Sequence, residues 1–91
     1  MNPEDVIIPS VLSEGTNEEI QQRTCEICQQ LHDLDPFLVA LAENYHASSE
    51  EDKPAALNAY LALDARRMLV DDVFAAQLAV MRNLGIPRGD C

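Results

Sequence analysis

Apolar side chains recur three and four positions apart through the first third of this chain. They run as Ile20, Thr24, Ile27, Cys28, Leu31 and Leu34, with Gln21, Gln22, Gln29 and Gln30 outside the stripe. That spacing places one apolar line along one side of a helix. Thr16 with Glu19 three residues on has the form of a capping box, so the helix is expected to begin about Asn17, just after Gly15. Asp35-Pro36 then reads as a stop and a new start, with Asp35 as cap and Pro36 at a first helical position. The second helix so defined, 36–47, carries Phe37, Leu38, Val39, Leu41 and Tyr45, apolar on more than one side, and is expected to lie centrally. A polar turn follows, Ser48 to Lys53, whose acids Glu50, Glu51 and Asp52 suit the positive end of the next helix.

The stretch 54–84 contains neither Gly nor Pro beyond Pro54 and is closed by Gly85 and Pro87, which predicts one long helix of about 45 Å. Its apolar side changes midway. Leu57, Tyr60, Leu61 and Met68 share one side of the first half, whereas Val70, Val73, Phe74, Val80 and Met81 crowd towards the opposite side of the second. A shift of that size exceeds the slow drift of roughly 20° per heptad between a straight helix and a coiled-coil seam. The two halves are therefore expected to meet different neighbours. Leu57, Leu61 and Met68 are assigned to the cover of the first two helices, and Val70, Val73, Phe74 and Met81 to a second subunit or a target protein.

Residues 1–15 read as an arm, because Pro3 and Pro9 break helical hydrogen bonding while Val6, Ile7, Ile8, Val11 and Leu12 are too apolar to be left in water. The tail 85–91 is short. The expected architecture is a single all-α domain made of three helices, 16–34, 36–47 and 54–84, with an extended N-terminal arm, and it is expected to be dimeric. A chain of 91 residues buries only about 60% of its unfolded surface, which leaves a single core marginal and favours association.

Charge narrows the function classes. The formal balance is −10, from 16 acidic against 6 basic residues, the latter dispersed as Arg23, Lys53, Arg66, Arg67, Arg82 and Arg88. Such a balance repels phosphate backbones and anionic headgroups, so direct nucleic-acid or membrane binding is disfavoured and a basic protein partner is favoured. The first residues do not resemble a secretory leader, no stretch reaches the length of a membrane span, and the expected location is cytoplasmic.

Candidate chemistry is sparse. Cys25 and Cys28 form a Cys-x-x-Cys and His32 follows on the same face, but the pair lies well inside a helix, away from the free N–H groups that activate redox dithiols. Zinc would need a fourth ligand brought in by folding, from His46 or Cys91. The two cysteines are therefore read as small structural hydrophobes, and no cofactor or metal is expected. Asp71 lies four residues after Arg67 and can pair with it, whereas adjacent Asp71 and Asp72 diverge by about 100° and cannot share a substrate. Arg88-Gly89-Asp90 matches an adhesive tripeptide, which three residues match easily by chance. With three Gly and two His in the chain, no catalytic triad or phosphate-cradling loop can be assembled, and the protein is not expected to be an enzyme.

The expected function is that of a small acidic regulator or antagonist that covers a functional surface of a larger protein, a transcription regulator being one expected target. A self-assembling structural or immunity-type protein is the alternative. The third reading is a helical metal or thiol sensor built on Cys25, Cys28 and His32.

Overall fold

The structure, a computed structural model, describes residues 1–89 and is all-helical, with no strand among them. Two long helices, α1 (Asn17–Ala47) and α2 (Lys53–Leu84), form an antiparallel hairpin, preceded by one 3₁₀ turn at Pro3–Asp5. The molecule measures 53 × 20 × 18 Å, and its 16.2 Å radius of gyration exceeds the about 12 Å of a compact chain this long. Each helix therefore has one neighbouring helix and a large remaining perimeter.

The three helices read from the sequence are two, because Pro36 lies inside α1. An interior proline loses a hydrogen bond and clashes with the preceding turn, at a cost of about 3 kcal/mol. What carries α1 across it is the apolar line itself. Ile20, Thr24, Ile27, Leu31, Leu34 and Leu38 are all buried, and Leu41 continues their phase beyond the proline. Breaking the helix at Asp35 would throw Leu38 and Leu41 out of register with α2. Asp35 caps nothing and instead accepts from Arg67 Nε at 3.3 Å across the hairpin.

On α2 the buried side is a single unbroken line. Ala56, Leu63, Val70 and Gln77 repeat every seven residues and are buried; Tyr60, Arg67 and Phe74, half-buried, with buried Met81, fill the alternate positions. This heptad seam is what the sequence reading missed, since Arg67 and Gln77 occupy two of its positions. The seam's apolar members join those of α1 in one cluster around Leu63 and Val70 and a second around Ile20 and Met81.

The helix ends are fixed locally. Thr16 accepts from the Glu19 backbone N–H, and Glu19 accepts from the Thr16 N–H, both at 3.1 Å. At the other end Gly85 takes a left-handed φ of 69°, which lets the Ile86 N–H reach the Met81 carbonyl and turns Ile86 into the core against Ile20. Ser48–Asp52 closes the hairpin, with Ser49 accepting from the Asp52 and Lys53 backbone N–H groups.

Candidate interaction surface

The two chain ends pack on the same half of the hairpin, the half distant from the turn. Val6 is buried, and Ile8 and Leu12 pack on the two clusters. Polar side chains hold the backbone of this segment at three points. Gln30 Nε2 donates to the Ile7 carbonyl at 2.6 Å, and Arg23 Nη1 to the Ser10 carbonyl at 2.7 Å. Gln77, wholly buried, accepts from the Leu12 N–H at 2.8 Å and donates to the Leu12 carbonyl at 2.9 Å. At the chain's other end Gln21 Nε2 donates to the Pro87 carbonyl at 2.6 Å, and the Arg88 guanidinium sits 5.4 Å from the Phe74 ring centroid.

The half next to the turn has no such cover, and large apolar side chains stand in water there. On α2 these are Leu57 (39% exposed), Leu61 (50%), Met68 (59%) and Leu69 (47%); on α1 they are Phe37 (40%) and Val39 (56%). At about 100° per residue, Leu57, Leu61 and Met68 form one row, roughly 110 to 150° around α2 from the buried seam. Leu69 lies by a similar angle on the other flank. Met1, Ile7, Val11 and Leu84 are exposed at the chain-end half as well, and scattered exposed apolar residues are ordinary; what sets the turn half apart is that Leu57, Leu61 and Met68 line up as one row on one side of one helix.

The residues assigned to a partner from sequence have a different position. Val70 and Met81 are 0% and 3% exposed, and Val73 and Phe74 pack partly buried against the core around Leu63. The closed hairpin turns these four inward, while Leu57, Leu61 and Met68, expected under a second helix, face outward. The midway shift of the apolar face is the sum of two lines: a buried seam running the whole length of α2 and an exposed row confined to its first half. Counting the repeat from Ala56 to Met81 with Arg67 and Gln77 admitted as seam members would have separated them.

Carboxylates border the exposed row. Asp64, Asp71 and Asp72 lie beside it along α2, and Glu50, Glu51 and Asp52 stand at its turn end. The nearby cations are directed elsewhere: Lys53 donates to the Tyr45 carbonyl at 3.2 Å and lies 5.0 Å from the Tyr45 ring centroid, and Arg67 is paired with Asp35. Arg66 lies around the opposite flank of α2.

The cysteine constellation does not form the thiol pair read from the sequence. Cys25 is disulfide-bonded, whereas Cys28 is a free, half-buried thiol. His32 is exposed on a shallow depression with Gln29 and Asp33. Among the described residues no three His, Cys, Asp or Glu side chains converge as metal ligands. Cys91, the suggested fourth ligand, and Asp90 of the tripeptide lie outside the described residues. No described helix is long and apolar enough to cross a membrane. Comparison with protein families, characterised proteins and solved structures finds no match to this chain.

Proposed function

We propose that the protein is a stoichiometric protein-binding regulator that acts by laying the turn half of its hairpin on a functional surface of a larger protein. The supporting observation is the row Leu57, Leu61 and Met68, which lines one side of α2 and is left exposed on the half of the hairpin that the chain ends do not cover. Burying about half of each would supply on the order of 1 kcal/mol per side chain, enough in sum for a specific contact once the cost of association is met.

The test compares the tagged protein with a Phe37→Ser/Leu61→Glu variant in capture from its native lysate, after circular dichroism has shown equal helix content. A target recovered in stoichiometric amount by the parent and lost by the variant supports the reading. Equal recovery by both removes the turn half as the contact surface. Recovery of nothing but further copies of the chain replaces regulation with self-assembly.

A further inference from the structure

Resting on that reading, we infer that the row Leu57, Leu61 and Met68 is the seat of a basic amphipathic helix supplied by the partner. The row presents apolar knobs four and seven residues apart along a straight helix, which is the complement of an apolar helical stripe and not of an extended strand. Its rim is anionic. Asp64, Asp71 and Asp72 flank it, the acids of the turn stand at its end, and the adjacent Lys53 and Arg67 already have partners within the hairpin. An incoming helix with Lys or Arg beside its apolar stripe meets an apolar centre and opposite charge along the edge, the arrangement that steers encounter and rejects acidic competitors.

A second copy of the chain suits the row less well. Laid antiparallel with Leu57 against Met68, it places Leu61 opposite Asp64. Laid parallel, it sets each carboxylate against its own image. Either arrangement brings two chains of charge −10 together. The inference thus assigns the partner's chemistry and its place on α2, leaving Phe37 and Leu69 to the opposite flank.

The probe is a synthetic peptide of about 18 residues, long enough to cover the row as a helix of roughly 27 Å. It carries Leu in the i, i+4, i+7, i+11 pattern with Lys at the flanking positions, and its counterpart has Glu in place of each Lys. Binding to the full chain is followed by fluorescence anisotropy at low and high salt. The basic peptide should bind, the acidic one should not, and salt should weaken the complex several-fold by screening. Leu61→Glu, and separately Asp64→Asn/Asp71→Asn/Asp72→Asn, should each weaken it by about tenfold or more. Equal binding of both peptides would overturn the charge assignment. Binding that survives Leu61→Glu unchanged would reduce it to general attraction towards an acidic protein and overturn the site. Failure of the basic peptide with a Leu61-dependent dimer in sedimentation would give the row to a second copy. If capture of the native target is lost in Phe37→Ser but kept in Leu61→Glu, this inference falls and the broader proposal stands; if both variants capture normally, both fall.

Discussion

Gln77 offers the sharpest test of how the chain ends are held. It is wholly buried at a seam position where an apolar residue would pack at least as well, and its amide is consumed by the Leu12 N–H and carbonyl. Gln77→Leu removes two hydrogen bonds worth about 1 kcal/mol each in net terms, while adding an apolar side chain of similar size to the seam. The two effects fall on different parts of the molecule. The hairpin should keep its stability within about 1 kcal/mol, since the new Leu offsets what the seam loses. The N-terminal segment should lose about 2 kcal/mol of docking free energy, because the Leu12 groups must reach water to be satisfied. That is roughly a thirtyfold rise in its undocked population. Cleavage by a protease selective for apolar residues reports that population when opening and closing are fast. Thermolysin should cut between Val6 and Leu12 about thirtyfold faster in the variant, with α1 and α2 left intact and the thermal midpoint displaced by only a few degrees. An unchanged rate would show that Gln77 does not hold the segment. Acceleration within the helices as well would show that the amide is needed by the hairpin itself.

Other outcomes follow from single positions. Pro36→Ala should raise stability by about 1 to 3 kcal/mol, by giving the His32 carbonyl a helical partner and removing the ring clash; a lower melting temperature would mean that the packing of α1 requires the proline. Leu63→Ala, at a position with no exposure, should cost about 3 kcal/mol or more and can unfold the domain, whereas Leu61→Ala two residues away should leave the midpoint within a degree or two. Equal effects of the two would refute the placement of the seam. The backbone N–H of Thr16 first, and then its side chain, hold the Glu19 carboxyl below its ordinary value of 4.5. Ionised Glu19 therefore stabilises the start of α1 above that value, and the contribution is lost as pH falls through the depressed one. Thr16→Ala removes the smaller contribution and keeps the backbone N–H, so the Glu19 titration, followed by NMR, should move only part of the way towards 4.5, and a full return to 4.5 would contradict the order of causes assigned.

How much of this protein was legible in its sequence depends on whether local chemistry or distant packing decided each feature. Thr16 with Glu19, and Gly85 before Pro87, marked the outer ends of the hairpin, because caps are satisfied within a few residues of where they lie. Asp35-Pro36 carried an equally clear local signal that did not prevail. Its cost of a few kcal/mol is smaller than the loss of Leu38 and Leu41 from the seam, and that comparison needs the position of α2. Val70, Val73, Phe74 and Met81 lie further inside than the sequence reading expected for a related reason. A wheel drawn for one helix records which sides are apolar, and α2 has two apolar sides in its first half; which of them α1 covers is set by the register between the helices.

The polar residues show the division most clearly. Arg67 and Gln77 interrupted the seam on paper, since a charge and an amide at core positions ordinarily argue against burial. Folding supplies Asp35 to one and the Leu12 backbone to the other, partners 32 and 65 residues distant in the chain. The sequence by itself determined that the chain is helical and where the outer ends of the hairpin lie, at Thr16 and Gly85. Only the tertiary structure decided which part of the apolar surface is hidden, because burial depends on which chain segments reach which side, and a helix does not record its neighbours in its own periodicity.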